Sequence, residues 1–484
     1  MTSPSPATRR DLLFLTATAL FFCLWNLGGG SLASWDEAQY AQVAKEIVRS
    51  GDWVYLRFLG NDWYVKPPLA LWATAVFFKF FGVHEFAARL YAALTGIGTV
   101  LMTYVLGRFL FDRRTALFGA GILLSTTDFL HFSRWGMMDV PNLFFFTSAI
   151  VFFLRAMREG RDDPEEGGSG RSDAWFLAFA VAFASAFMTK GPVVILVPVL
   201  FVLYSLWTGE WGYARSPLFW ASFVLAAIFI LPWHAAVYFH NREAFVHDFV
   251  GTHWLRRSSE AIEGHAAGWY FYVRSLINKF HPWVVVLPFA LPFAVAGAFR
   301  GSKAMKFITL WTAVVFLFFT FAVSTKLRWY TMPMYPALAL AIGAFLARWI
   351  PDAGIPWAKL VFVAVLGLHF PFSSAMDHDY SSGIKNIASA VKQQAGENES
   401  VVLYNFHDQP AAVFYWDRSV RYADSPAELD RILAAGGRVV LVAQASRYAE
   451  EGEMLRSKGF TESARSAGPK DPVVLLLYKA PGRG

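Results

Sequence analysis

The chain is poor in cysteine and in charge. Cys23 is the only cysteine in 484 residues, and it lies inside an apolar run, so an intramolecular disulfide and a cysteine-based zinc site are both excluded. Only 16% of the residues are charged, whereas 56% are hydrophobic and the mean hydropathy is +0.38, far from the soluble average. There is no GxGxxG fingerprint, no Walker loop and no internal repeat, which removes the usual signs of nucleotide binding and of a two-fold transporter architecture. The formal net charge of +7 calls for no nucleic acid, because retention of Lys and Arg on the cytoplasmic side and contacts with anionic membrane lipids give the same bias.

What is present is a series of long apolar runs, so the expected class is a polytopic α-helical membrane protein. Spans are expected near 11–30, 87–110, 115–133, 140–157, 174–189, 192–208, 217–239, 282–300, 305–323, 329–349 and 358–376. The first run follows Arg9 and Arg10 and resembles a signal peptide, but it is expected to be retained as the first span, since cleavage after SLA would leave Asp36 beside a frayed terminus. The stretch 67–82, PPLALWATAVFFKFFG, is too short to cross and opens on two prolines suited to a first turn; it is expected to be an interfacial helix. That choice fixes the parity of every later span. Fifteen Lys and Arg residues then fall on the inner side, including Arg113, Arg114, Arg300 and Lys359, against four in the short outer loops, namely Arg134, Lys190, Lys326 and Arg328.

Residues 377–484 have a more ordinary composition. GIKNIASAVKQQAG, AELDRILAAG and SRYAEEGEMLRSKGF have helical periodicity, and VVLYNF, AVFYW, RVVLVAQ and VVLLLYK read as strands. The expected division is a transmembrane catalytic domain over 1–376, with outer loops at 31–86 and 240–281, followed by a small soluble α/β domain.

The polar residues gather at the outer ends of spans. Asp36 and Glu37 open the helical pattern EAQYAQVAKEIVRSG, where a carboxylate also suits a helix start. Lys66 precedes two prolines, Asp139 follows Met137 and Met138, Lys190 lies in MTKGP, and Lys326 and Arg328 lie in STKLRWY. Each lysine alone is explained by snorkelling to the interface. Together, cations that suit a phosphate and carboxylates able to accept a proton describe a cavity for an anionic headgroup, with Asp36 as base and Arg256 and Arg257 of HWLRRSSE as further phosphate ligands. Four histidines, His247, His253, His265 and His281, occupy the long outer loop with Glu260 and Glu263; their spacing matches no zinc signature, and no metal is assigned.

Read in order, WDEAQYAQVAKEIVRSGDW, WYVKPPLALWATAVFFKFFGVHEFAARL, SRWGMMDVPNLFFF, MTKGP and STKLRWYTMPMYPALALAIGAF resemble the lipid A aminoarabinose transferase and protein O-mannosyltransferase group of GT-C glycosyltransferases. The resemblance covers most of 10–350. It implies a GT-C fold, a polyprenyl-phosphate-linked sugar donor such as an undecaprenyl phosphate derivative, and transfer to a lipid, glycan or protein acceptor on the periplasmic face of a bacterial inner membrane. By motif position Asp36 corresponds to the acid of the first loop, with Glu37 and Asp139 completing the catalytic set. Tyr40, Tyr64, Lys66, Arg134, Lys190, His253, Arg256, Arg257, Lys326 and Arg328 are the expected substrate contacts. Val65 stands where some relatives carry an acidic residue implicated in metal binding, which weakens the case for a divalent ion. The rival readings fare less well. A transporter requires polar residues along a path between both faces, and here they concentrate on one; a sensor requires an output module, and the inner loops are too short for one.

Overall fold

The computed structural model describes residues 5–162, 169–256, 259–261, 267–370, 379–397, 399–407, 409–466 and 472–478. The chain divides into two compact units. One comprises 1–27, 64–73 and 89–376; the other comprises 28–63, 74–88 and 377–484.

The first unit is helical. Its elements begin with α1 (Pro6–Leu24), and α2 (Asp36–Ser50) belongs to the second unit; α3 (Leu69–Phe81) and α4 (Glu85–Leu110) each contribute residues to both. Then follow α5 (Arg113–Leu124), α6 (Thr127–Ser133), α7 (Asp139–Asp162), α8 (Ser169–Lys190), α9 (Leu196–Thr208) and α10 (Pro217–His240), and later helices at Leu287–Phe299, Lys303–Leu317, Tyr335–Ala347 and Ile355–His369. Among the described residues, Glu85–Leu110, Asp139–Arg158, Pro217–His240, Lys303–Ala322 and Arg328–Ala347 are long and apolar enough to cross a membrane, with shorter apolar helices at Leu69–Phe81, Ala174–Lys190, Pro192–Thr208 and Leu287–Phe299. The expected span at 115–133 is two helices, because Ser125 and Thr126 turn their hydroxyls back onto the carbonyls of Gly121 and Ile122 and end α5 there. At 13 residues, α3 rises about 20 Å, short of the roughly 30 Å of a hydrocarbon core, as its length in the sequence implied.

Aromatic side chains hold α7, α8 and α10 together. Phe153 packs edge-on to Phe176 and Phe179, Phe152 stacks on Trp175, and Phe223 of α10 meets Phe179 and Phe183. Elsewhere small residues permit close approach. A side chain at Gly343, in the helix Tyr335–Ala347, would lie 2.7 Å from the Gly119 nitrogen and 2.8 Å from the Thr115 carbonyl of α5. Buried charge is paired. Asp11 of α1 is inaccessible and receives Arg113 at 2.6 and 3.0 Å and Lys359 at 2.7 Å, which ties three helices at one point.

In the second unit, a two-stranded hairpin, β1 (Arg57–Phe58) with β2 (Asn61–Asp62), follows α2. The remaining strands, β3 (Val401–Tyr404), β4 (Val420–Ala423), β5 (Val439–Gln444), β6 (Phe460–Arg465) and β7 (Val473–Tyr478), form one sheet in the order β4-β3-β5-β7-β6. β4, β3 and β5 run parallel, whereas β7 pairs antiparallel with both β5 and β6. Val402, Leu441, Leu429, Leu455 and Val474 are among its core residues. The helical patterns read at AELDRILAAG and SRYAEEGEMLRSKGF are the helices Pro426–Ala434 and Ala445–Ser457. AVFYW, expected as a strand, is instead the end of the helix Gln409–Trp416: Pro410 suits a first turn, and Ala411, Ala412, Val413, Phe414 and Trp416 are all buried, a density that hides helical periodicity. β4 (VRYA) and β6 (FTESAR) carry polar residues and are exposed or half-buried at half or more of their positions, so the apolar pattern did not mark them.

Asp417, just past that helix, pairs with Lys45 and Arg49 of α2, the latter at 2.8 Å, and with Lys392 at 3.4 Å. Burial raises its carboxyl, but the hydrogen bond from Lys45 and the charges of Lys45, Arg49 and Lys392 outweigh that and hold it below the ordinary 3.8.

Two outcomes follow from this packing. Gly343→Ala should destabilise the protein by about 1–3 kcal/mol, because the added methyl meets backbone and not a yielding side chain, and a lowered melting midpoint in detergent checks it. The depressed Asp417 carboxyl adds stability that is complete above the unfolded value near pH 4 and is lost as pH falls through the folded one. Asp417→Asn should therefore flatten the decline of the melting midpoint below about pH 4 relative to the parent chain.

Candidate functional site

Within the helical unit, one cavity of about 410 Å³ collects several of the residues expected to bind substrate. Lys66, Asp139, Asn142 and Lys190 supply its polar lining. Val193, Ile195, Leu196, Val199, Phe249, Phe318, Phe319, Trp329, Tyr330 and Met332 supply much of the rest. Lys66 stands three residues before the start of α3, and the buried Pro67 and Pro68 between them fix the chain's entry. Asp139 is the first residue of α7 and Lys190 the last of α8, so two adjacent helix ends bring the pair together in an ion pair. Lys190 also lies 5.5 Å from the centre of the Tyr330 ring. Asn142, one turn beyond Asp139, donates to the Ala186 carbonyl at 2.9 Å. Two ammonium groups and one carboxylate leave the polar lining with a net positive charge beside an extended apolar wall, which suits an amphiphile with an anionic head.

Other expected substrate contacts have local partners. Tyr64 is buried and packs edge-on to Phe245. Arg134, fully buried, donates to the Phe22 and Cys23 carbonyls at the end of α1 at 2.8 and 3.3 Å and lies over the Phe370 ring. The Lys326 ammonium donates to the carbonyls of Phe319 at 2.7 Å, Thr320 at 2.6 Å and Val323, which occupies its three protons. Arg328 lies over the Phe132 ring. Neither Lys326 nor Arg328 lines the cavity, although Trp329 and Tyr330 beside them do. Arg256 closes the π-helical segment Phe245–Arg256, faces Glu260 at 3.4 Å, and borders an open hollow with Arg242, Glu243, His247 and Thr252. His253 lies on the backbone of the same segment, and Arg257 lies outside the described residues.

The acidic pair belongs to the second unit, where its members differ. Trp35 takes the N-cap position of α2 with φ 71° and makes no side-chain cap, and Asp36 is the first helical residue. Asp36 is half-buried, and its carboxylate makes no hydrogen bond or ion pair among the described residues. Glu37 is buried at 1% exposure and accepts from the Ala33 N–H at 2.7 Å, which ties the segment before the helix to its first turn; α2 has no side-chain N-cap. Tyr40, one turn on, sits edge-on to Trp63.

Residues 13–247 match the family model described as dolichyl-phosphate-mannose-protein mannosyltransferase. Nearly half of the chain is therefore similar to this family's model. An undecaprenyl phosphate-α-4-amino-4-deoxy-L-arabinose arabinosyl transferase of Pseudomonas aeruginosa (strain UCBPP-PA14) is 32% identical over 346 residues, which cover 69% of this chain and 59% of that protein. An uncharacterized protein of Aquifex aeolicus is 26% identical over 375 residues, covering 76% and 71%. The chain thus spans about 59% of the curated transferase it matches.

The fold is that of the GT-C glycosyltransferases. The crystal structure of ArnT from Cupriavidus metallidurans in the apo state aligns with a TM-score of 0.77 at 22% identity, covering 98% of each chain. Its undecaprenyl phosphate-bound form gives 0.75 at 21%, covering 97% of this chain and 98% of that one. An oligosaccharyltransferase of Archaeoglobus fulgidus gives 0.61 at 12%, covering 96% of this chain and 73% of that one. At these identities the likeness concerns the fold alone.

In the cavity, reasoning from sequence missed Asn142 and the aromatic wall of Phe249, Trp329 and Tyr330. Asn142 carries a readable signal, one turn after Asp139 in DVPN; the aromatics are lost among 47 phenylalanines and 19 tryptophans. Because Asp139 and Lys190 are largely buried, removing Lys190 takes a close counter-charge from the Asp139 carboxylate where water replaces it poorly. Lys190→Met should destabilise the protein by about 3–5 kcal/mol, and the double variant Lys190→Met/Asp139→Asn should recover about 0.5–3 kcal/mol of that loss in a denaturation double-mutant cycle.

Proposed function

We propose that this protein transfers a sugar from a polyprenyl-phosphate-linked donor to a lipid A, other glycan or protein acceptor at the outer face of a bacterial inner membrane. The observation that carries this reading is the cavity in which Lys66 and Lys190 stand beside an apolar wall, since a prenyl phosphate joins those two chemistries in one molecule. The match to the family model and the named activity of the Pseudomonas relative support it.

In the proposed reaction the bond between C1 of the sugar and the phosphate oxygen breaks, and polyprenyl phosphate leaves with the electron pair. The acceptor oxygen forms the new bond to C1, and a hydroxyl acceptor gives its proton to a carboxylate. Lys66 and Lys190 stabilise the departing phosphate, with Arg256 and Arg257 as further cations of the outer loop. Asp36, assigned by its place in the WDEAQY motif and with a carboxylate that makes no hydrogen bond among the described residues, takes the proton and faces the oxocarbenium-like sugar. Asp139 and Glu37 act in support. A single displacement inverts the anomeric centre. If the acceptor is a phosphate, no base is needed and Asp36 acts by electrostatics and orientation.

The proposed topology has about eleven spans over 1–376, with α3 lying along the outer leaflet, the loops 31–86 and 240–281 outside, and 377–484 as an outer domain. The short rise of α3 supports the parity that puts these loops on one side.

Comparing the masses of lipid A, other envelope glycans and exported proteins in cells with and without the gene should reveal one sugar-sized shift, which names both sugar and acceptor. In those cells Asp36→Asn should lower product formation by about 10²–10⁴-fold without loss of protein. Lys66→Ala should weaken donor use about ten- to a hundredfold. Wild-type product from Asp36→Asn rejects the base, and no mass shift in any fraction rejects the transferase.

A further inference from the structure

The residues leading into Asp36 have little to stiffen them. Gly28, Gly29 and Gly30 precede Ser31, Gly30 has φ 76°, and the non-helical chain continues to Trp35, whose φ of 71° is unfavourable for a residue with a side chain. Such a conformation persists only where the surroundings impose it. Within the second unit those surroundings come from 377–484. Ser31 donates to the Asp379 carboxylate at 3.0 Å and accepts from the Ser381 N–H at 2.7 Å. Lys385 donates to the Gly30 carbonyl at 2.7 Å and pairs with Glu85 at 2.6 Å. The Tyr415 hydroxyl accepts from the Leu32 N–H at 2.7 Å and donates to the Glu85 carboxylate at 2.9 Å. Leu32 is inaccessible to solvent, so no water replaces that hydroxyl. Two and a half turns into α2, Lys45 bonds the Phe414 carbonyl at 2.7 Å and pairs with Asp417. The helix Gln409–Trp416 and the residue after it therefore hold both the approach to α2 and its middle.

We propose that Tyr415 is a positioning residue for Asp36: its hydroxyl, shared between the Leu32 N–H and Glu85, fixes the segment that aims the carboxylate, and the α/β domain serves transfer as the brace of that segment. The proposal rests on reading Asp36 as the group that faces the sugar and the acceptor. It gives the C-terminal domain a task in the reaction without requiring that domain to touch either substrate.

Tyr415→Phe removes one hydroxyl and keeps the ring, so it tests orientation with little change in packing. Three quantities decide the outcome in the full-length chain: mass-shifted product in gene-deleted cells at matched protein level, affinity of the purified protein for undecaprenyl phosphate, and the melting midpoint in detergent. The expected result is a fall of about ten- to a hundredfold in product, with undecaprenyl phosphate affinity within about twofold and the midpoint within about 2 °C of the parent. Product per molecule equal to that of the parent overturns the proposal, whatever happens to the midpoint, because the hydroxyl is then structural only. A loss of undecaprenyl phosphate affinity matching the loss of product also overturns it. Should Tyr415→Phe fail to accumulate, Ser31→Ala, which loosens the same segment from its other side, is judged by the same criteria. Asp36→Asn run in parallel separates the two ideas. An inactive Asp36→Asn with a fully active Tyr415→Phe leaves the base standing and removes the brace, whereas an active Asp36→Asn removes the base by itself.

Discussion

An ion placed among apolar side chains costs several kcal/mol unless a counter-ion or a set of carbonyls takes it up. That constraint sorts the charged residues of the helical unit. Asp11 is met by Arg113 and Lys359, Arg134 by the carbonyls at the end of α1, and Lys326 by three carbonyls of the segment just before it. Each of these groups is a fastening between helices or within a helix end. Asp139 and Lys190 obey the same rule but satisfy it at the wall of a cavity, where the carboxylate balances one cation and Lys66 adds a second. The pairing explains both how these charges are tolerated and why the cavity retains a net attraction for an anion.

Lysine and arginine at the ends of apolar runs look alike in a sequence, yet their fates differ here. Lys66 and Lys190 face the cavity; Arg134 and Lys326 do not, because their donors are engaged by nearby carbonyls. What separates them is the local backbone. Lys326 follows a π-helical segment, Phe318–Ala322, whose carbonyls are left without intrahelical partners, and its side chain is long enough to reach back to them. No periodicity of hydrophobic residues announces a π-turn, so that outcome was beyond a pattern-based reading.

Much of the architecture was legible because it follows from counting. Thirteen to sixteen residues after two prolines cannot make a long helix, and α3 is short; the short continuous apolar runs in VVLYNF, RVVLVAQ and VVLLLYK, rich in β-branched residues, suit buried strands, and β3, β5 and β7 lie there. Two of the errors come from apolar runs that hide a helix or its end, whereas β4 and β6 were missed because they carry polar residues and are exposed or half-buried at half or more of their positions. AVFYW is apolar throughout and lost its helical period, and the run at 115–133 is continuous in hydropathy although Ser125 and Thr126 interrupt the helix. At the site, acids and bases adjoining Pro or Gly stood out against an apolar background. Asn142 and the aromatic wall did not, because an amide near a helix start and a tryptophan in a membrane helix are ordinary in such a chain.

The acidic helix is held by polar contacts as well as by packing. α2 has nine buried residues but only short ones on much of that face, namely Ala38, Ala41, Val43 and Ala44, so its packing alone fixes direction poorly. Its polar anchors supply what packing lacks. Lys45, Glu37 and the hydroxyl of Tyr415 act at defined distances and angles, whereas apolar contact is non-directional. In the proposed reaction a carboxylate that must meet one oxygen atom needs orientation more than it needs stability, and the hydrogen bonds at the foot of the helix are the means of that orientation, with no side-chain partner for Asp36 among the described residues. On the proposed reading, the apolar contact between α2 and the helix Gln409–Trp416 holds α2, and the polar groups set beside it aim it.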